Sequence, residues 1–346
     1  MPAIIFTRKE MVNTMNDFSI FLEDFFLKYL SVERGCSINT RKNYRDTFAE
    51  ILEYLNETHN IPSNHVQMET FDFNMVNGFL DWLENTKGLS VSTRNNRLAG
   101  LKSYFKYVSY RAPQYLNRCN SILAIKAKKT TSAPMNYLTI AAIELLFSGF
   151  NLENIHDLRD YSVIAMLYES GARVSELIAI KVFEVRLDHP ATVVLHGKGG
   201  KSRIVPIDAT VAKQISRYLT AYQKRSDDYL FTNSQSKPLT RKGVDYMLQK
   251  HFEKAKSENP SLFPTKISPH CIRHSRAMHL LENGVNLVYI RDLLGHSSVT
   301  TTEIYAKANP EIKRKYIQAA SIGIIDHPDY DQEQMDDLLN WLKDNI

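Results

Sequence analysis

The stretch from Ser268 to Lys307, SPHCIRHSRAMHLLENGVNLVYIRDLLGHSSVTTTEIYAK, constrains the fold more than any other part of the chain. Ser268-Pro269 sets a capping hydroxyl before proline at a first helical position. Asn283-Gly284 supplies a left-handed stop. Asn286 can open a second helix, in which Leu287, Ile290 and Leu294 recur at helical spacing before Gly295 ends it. Thr300 to Glu303 fits a capping box for a third helix, which carries Tyr305. His270 and Arg273, three apart, share a helical face. A cation and an imidazole on one face, with a tyrosine brought back over short turns, suit work on a phosphate. The two helices around Asn283-Gly284 fit a DNA-reading helix-turn-helix as well.

At 346 residues the chain has room for two domains, each with its own core. From Phe18 to Leu30 an apolar stripe precedes a break at Gly35. Ser37 to Thr40 can start a helix carrying Tyr44, Phe48, Ile51, Leu52 and Leu55. Another helix is expected over 74–84, and Ser90 to Thr93 can cap one with Leu98, Leu101, Phe105 and Val108 inward. This is a module of four or five helices whose last helix is basic. Ile125 to Pro134 has no periodicity and reads as a basic linker. Beyond it, a Thr139-led helix and one over 157–169 are expected, the latter ending at Ser170-Gly171, with Ser175 starting the next. Ala191–His196 and Ser202–Ile207 flank Gly197-Lys198-Gly199-Gly200 as a β-hairpin. Residues 208–256 return to helix, broken over 233–238. The fold expected is mainly α, with a small β-sheet or hairpin in the C-terminal domain.

The net charge of +5 is unevenly spread. Residues 88–130 hold Arg94, Arg97, Lys102, Lys106, Arg111, Arg118, Lys126, Lys128 and Lys129 and no acid, whereas the last 21 residues hold seven acids against Lys343. A segregated basic surface is the electrostatic footprint of nucleic-acid binding, although a merely solvated basic face has the same composition. The N-terminus has no signal-peptide pattern and the chain no long apolar span, so a cytoplasmic protein without a membrane partner is expected. Cys36, Cys119 and Cys271 are too scattered for a disulfide framework or a zinc site. His270, Cys271, His274, His279 and His296 match no metal spacing, and Arg273 and Arg291 would oppose a dication. Gly200-Lys201-Ser202 resembles the end of a P-loop, but Leu195 stands where that loop needs glycine. No metal and no cofactor are therefore expected.

Cleaving a phosphodiester requires charge neutralisation on the non-bridging oxygens, an in-line nucleophile and a proton for the leaving oxygen. Arginine meets two phosphate oxygens with its fork and keeps its proton. Tyrosine, with a pKa of about 10, lies roughly 4 kcal/mol from ionised at neutral pH, a gap that cations and a base must offset. Lysine on a hairpin turn can act as acid, and histidines can exchange protons near pH 7.

The motifs together resemble a tyrosine recombinase of the phage-integrase and Xer type. Gly171-Ala-Arg-Val-Ser-Glu-Leu177 resembles the family's first arginine motif, and His196-Gly-Lys-Gly-Gly-Lys-Ser-Arg-Ile-Val-Pro206 its lysine hairpin. Pro269-His-Cys-Ile-Arg-His274 matches the His-x-x-Arg motif, and Leu293 to Tyr305 the final histidine and nucleophile. The resemblance spans residues 17–320, since the basic helical module is similar to the family's core-binding domain. It implies an N-terminal extension (1–16), a helical DNA-binding domain (17–124), a basic linker (125–136), a catalytic domain (137–325) and a C-terminal acidic helix (326–346). The compact two-domain form is expected.

By the same resemblance, Tyr305 attacks the scissile phosphate and holds a 3′-phosphotyrosyl intermediate. Arg173 and Arg273 bind the non-bridging oxygens, Lys198 protonates the leaving oxygen, His270 serves as base, His296 hydrogen-bonds the phosphate and Glu176 orients the arginines. Because the tyrosyl ester keeps the phosphate energy, neither metal nor ATP is required. Arg94, Arg97, Lys102, Lys106, Lys126, Lys128, Lys129, Lys201 and Arg203 are the candidate DNA contacts. The implied partners are double-stranded DNA and further copies in a synaptic tetramer, alone or together with a related recombinase. Met335, Leu338, Leu339, Leu342 and Ile346 make the tail amphipathic, suited to docking on a neighbouring protomer or on its own domain. The favoured role is integration or excision of a mobile element. Alternatives are Xer-type dimer resolution, relaxation by a type IB topoisomerase, and a catalytically idle DNA-binding regulator.

Overall fold

The computed structural model describes residues 16–130, 135–197, 200–296 and 305. The chain divides into two compact units, Met1–Ser132 and Ala133–Ile346.

The first unit is helical throughout. Helix α1 (Asp17–Asp24) starts where the Asn16 side chain accepts from Ser19 N, and runs directly into π-helical turns over Phe25–Glu33. Helix α2 (Ile38–His59) is capped by Ser37 and ends at Asn60 in the left-handed region. Asp72 caps α3 (Phe73–Asn85), and Ser90 caps α4 (Val91–Arg111). These caps matter because the first turn's amides have no partner within the helix. A further short helix, α5 (Leu116–Leu123), follows the basic α4, so the basic helix is not the last one. The core is largely aromatic: Phe18, Phe25, Phe48, Phe71, Phe79, Tyr104 and Phe105 are buried together. Ile125 belongs to that core, and Asn95 holds both the carbonyl and the amide of Lys128. The segment after α5 therefore stays attached to the module as far as Lys128.

In the second unit, Thr139 caps α6 (Ile140–Ser148) and Asn154 caps α7 (Ile155–Ser170). Helix α7 is buried on most sides and is the central post of this core, with Val163, Ile164, Met166 and Leu167 inside it. Gly171 follows at φ +57, and the single turn α8 (Val174–Leu177) begins with Arg173 at its cap position, two residues before the expected Ser175. Glu176 reaches back to Arg173 N, the closing half of a capping box.

Three antiparallel strands follow, β1 (Val185–Arg186), β2 (Thr192–His196) and β3 (Ser202–Pro206), ordered β1-β2-β3. The expected hairpin is β2–β3, in register from Thr192↔Pro206 to His196↔Ser202. Strand β1 was not expected, since two residues carry no readable alternation. Val193, Leu195 and Val205 turn into the helical core.

Helices α9 (Ala209–Ala221) and α10 (Arg241–Glu258) precede α11 (Pro269–Glu282) and α12 (Leu287–Leu294). Ser268 occupies the cap position of α11, but its hydroxyl does not cap and lies 3.5 Å from Cys271 Sγ. Asn286 caps α12, and Gly295 closes it at φ +63. Ala277, Met278, Leu281, Ile290 and Leu294 form a separate cluster that includes Tyr305. The proposed Thr300–Glu303 box and the helix over 326–346 lie outside the described residues. Among the described residues no helix is long and apolar enough to cross a membrane.

Candidate active site

The candidate site gathers where α8, the β2–β3 hairpin, α11 and α12 meet. Arg173, leading α8, gives Nη1 to Glu176 Oε1 at 2.7 Å and Nη2 to Gly295 O at 3.2 Å. Arg273, on α11, is only 3% exposed and donates to Gly171 O at 2.6 Å and to Leu294 O at 2.7 Å. Burial lowers the Arg273 pKa to about 10, helped by Arg173, and the group stays charged at neutral pH. Arg203, on β3, gives Nη2 to Glu176 Oε2 and Nε to Leu293 O, both at 2.7 Å. Burial pushes the Glu176 carboxyl up, but hydrogen bonds from Arg203 and from the Arg173 backbone outweigh it and hold it below the usual range.

Gly171 is confined by this assembly. A Cβ there would lie 2.9 Å from Leu294 Cδ2 and 3.1 Å from Leu293 Cδ2, besides the positive φ. The glycine lets α12 close onto the end of α7, and its carbonyl is one of the two that anchor Arg273.

Tyr305 is 1% exposed. Its hydroxyl pairs with His274 Nδ1 at 2.9 Å, and its ring lies parallel to His296 with centroids 6.4 Å apart. Burial raises the Tyr305 pKa, while Arg273 and Arg173 oppose the rise. His274 and His296 are each lowered to about 4, by burial first and then by neighbouring His270 and Arg273 for the former and by Arg273 and Arg173 for the latter. Both imidazoles are therefore neutral at pH 7. Partial desolvation and then Arg273, Arg173 and Arg241 lower His270 as well.

Arg173, Glu176, His270, Arg273, His296 and Tyr305 thus come together from segments up to 132 positions apart. Lys198 lies outside the described residues. Lys201 is exposed in a cleft lined also by Arg173, Gly197, Arg203 and His296. His274 was missed as a site residue. It stood one position after Arg273 in the quoted motif and four after His270, close to the same helical face. Arg241 and Lys242, at the start of α10, line a second cleft with Arg173 and His270 and were also missed.

Among the candidate DNA contacts, three are engaged within the protein. Arg94 is 3% exposed and pairs with Glu84 at 2.7 Å. Arg97 makes a two-pronged pair with Glu50, both bonds at 2.7 Å. Arg203 is engaged internally, as described. A window count over 88–130 sees no acid, yet Glu50 and Glu84 approach from other helices. Lys128 is exposed but pairs with Glu84 at 2.8 Å. Lys102, Lys106, Lys126 and Lys129 make no ion pair among the described residues, and all but Lys102 are exposed.

Residues 123–311 match the phage integrase family, and residues 24–111 match the phage integrase N-terminal SAM-like domain. The chain belongs to the phage integrase family. It is a tyrosine recombinase, as its relatives are. A putative integrase/recombinase, y4rC, of Sinorhizobium fredii is 32% identical over 87% of this chain and 90% of that protein. Tyrosine recombinase XerC of Staphylococcus epidermidis is 30% identical over 86% of this chain and 96% of its own. Tyrosine recombinase XerD of Listeria monocytogenes is 31% identical over 84% and 94%. The recombinase fold is similar to that of the XerH recombinase bound to its difH substrate before cleavage, with a TM-score of 0.65 at 23% identity, covering 86% of this chain and 83% of that one. It is similar also to the Tn1549 transposon integrase in complex with transposon right-end DNA, with a TM-score of 0.67 at 19% identity, covering 86% and 99%.

Proposed function

We propose that this recombinase breaks and rejoins double-stranded DNA at specific sites through a 3′-phosphotyrosyl intermediate, and that it serves integration or excision of a mobile element. What supports the chemistry is that Arg173 and Arg273 both hold the end of α12, with His270 and His296 in clefts beside Arg173 and the Tyr305 ring parallel to His296. Arg173 and Arg273 neutralise the scissile phosphate, and His296 bonds it from the other side. Lys198 delivers the leaving-oxygen proton. Tyr305 attacks once its hydroxyl leaves His274, and His270 takes its proton. The phenol starts some three units from ionised, and its burial widens that gap. The two guanidiniums oppose the rise, so the reaction depends on phosphate and arginines meeting at the nucleophile. Lys102, Lys106, Lys126 and Lys129 are the proposed phosphate-backbone contacts of the first unit. A tetramer of copies on DNA completes the assembly, with the amphipathic sequence 326–346 docking between protomers.

The XerC and XerD relatives favour a second reading of the biological role, the Xer type. A nicked suicide substrate tests the chemistry. Wild type should accumulate a covalent protein–DNA adduct, and Tyr305→Phe should bind the same DNA without forming one. An adduct that persists in Tyr305→Phe, or loss of binding in that variant, refutes the assignment. Recovery of excised circles from the DNA flanking the gene supports the mobile-element role, whereas resolution of replicon dimers alone supports the Xer type.

A further inference from the structure

Three arginines from three segments grip the end of α12 on consecutive carbonyls. Arg203 takes Leu293 O, Arg273 takes Leu294 O, and Arg173 takes Gly295 O. The last carbonyls of a helix have no partner within it and carry its negative end, so guanidiniums satisfy both needs. Arg173 and Arg273 belong to the phosphate-binding reading. Arg203 is the third and has no assigned part.

Its geometry gives it one. The side chain is 13% exposed, and its fork bonds Glu176 with one nitrogen and Leu293 O with another. Glu176 in turn holds the Arg173 guanidinium through its other oxygen and the Arg173 amide through the oxygen Arg203 also uses. Removing Arg203 would leave that carboxylate hinged on Arg173 alone. On the other side, the turn at Gly295 runs against Arg203. A Cβ on Gly295 would meet Arg203 Nη1 at 2.7 Å and Cζ at 3.0 Å. The backbone that leads into His296 is thus laid directly on this guanidinium. Lysine, a single point of charge, cannot span both acceptors.

We propose that Arg203 is a positioning residue of the recombinase site: it ties β3 to Glu176 and to the end of α12, and so sets the Arg173 guanidinium and the approach to His296 without touching DNA. This rests on the reading of Arg173 and His296 as phosphate-binding groups. The test uses the full-length protein with Arg203→Met, Arg203→Lys and Arg173→Ala. Cleavage of a suicide substrate is measured at saturating DNA, beside affinity across a salt series and a thermal melt. A second substrate carries a methylphosphonate at the scissile position, which removes one charged oxygen and with it part of the need for a well-placed Arg173.

The expected result is a cleavage rate lowered on the order of 30-fold in both Arg203 variants, with affinity and salt slope unchanged. The defect should narrow on the same methylphosphonate stereoisomer that narrows the Arg173→Ala defect. A DNA contact would instead lower affinity, reduce the salt slope by about one, and be restored by lysine. A merely structural role would lower cleavage of both substrates equally, in step with the melt. Either outcome overturns the proposal, as does wild-type cleavage in Arg203→Met. Failure of wild type to form any adduct would instead refute the recombinase chemistry itself.

Discussion

The pairing of His274 with Tyr305 makes a quantitative prediction about the resting protein. The tyrosine is 1% exposed, and its hydroxyl meets His274 Nδ1 at 2.9 Å. His274→Phe fills the ring volume but leaves that hydroxyl buried without the partner. An unsatisfied buried hydroxyl costs about 1–3 kcal/mol, so a loss near the middle of that range is expected. Tyr305→Phe removes the hydroxyl and leaves a partly exposed imidazole that water can reach, at about 0.5–1.5 kcal/mol. In the double variant neither group is stranded, and the total should fall below the sum of the singles by about 1–2 kcal/mol. Urea unfolding of the full chain and its variants, followed by far-UV and near-UV circular dichroism, measures the cycle. Coupling below about 0.5 kcal/mol would mean the two groups act independently and the hydroxyl rests elsewhere in solution.

Stability should also depend on pH through the site histidines. His274 and His296 titrate near 4 in the folded chain and near 6.5 when unfolded, so the unfolded chain binds more protons between those values. Their contribution is full above about pH 6.5 and is lost as the pH falls toward 4, which melts across that window will show; a flat profile refutes it. Gly171→Ala should cost about 2–4 kcal/mol, from the left-handed backbone and the overlap with Leu293 and Leu294 together. Gly200→Ala, at φ +75 with nothing within 4 Å, should cost only about 1 kcal/mol, and equal losses in the two melts would sink the packing argument.

Helix starts were legible because a cap is a local device. Ser37, Ser90, Thr139 and Asn286 each stand within three residues of the amide they receive. Ser268 fails for the same local reason, since nothing in its neighbours reveals that its hydroxyl turns toward Cys271. The candidate site residues were legible through their motifs, of which only the His270–Arg273 pair keeps its spacing within one regular helix. What escaped depends on distant chain. Arg97 looked like a surface cation until Glu50 arrived from α2, 47 positions away. Arg203 reads as a hairpin cation, yet one of its partners lies 90 positions on, at the end of α12. His274 sat in plain view but had no visible reason to meet a tyrosine 31 positions later. Strand β1 is too short to show a period, and it exists because β2 offers it an edge.

The grip of three arginines on the end of α12 also sets the charge balance of the site. Among the described residues, three guanidiniums meet one carboxylate, Glu176, and a helix end worth about half a negative charge, which leaves this cluster roughly one and a half positive charges, while Lys201 and Asp292 in the same cleft offset each other. His274 and His296 add nothing at neutral pH. A phosphodiester brings one negative charge and would take the pocket close to balance, with about half a charge in reserve. Attack by a phenolate loads further negative charge onto the phosphorus oxygens, and that reserve is then the part of the pocket still unanswered. Under the proposed chemistry, a cluster so weighted would hold a phosphodiester moderately and the crowded, more negative state that follows attack more firmly.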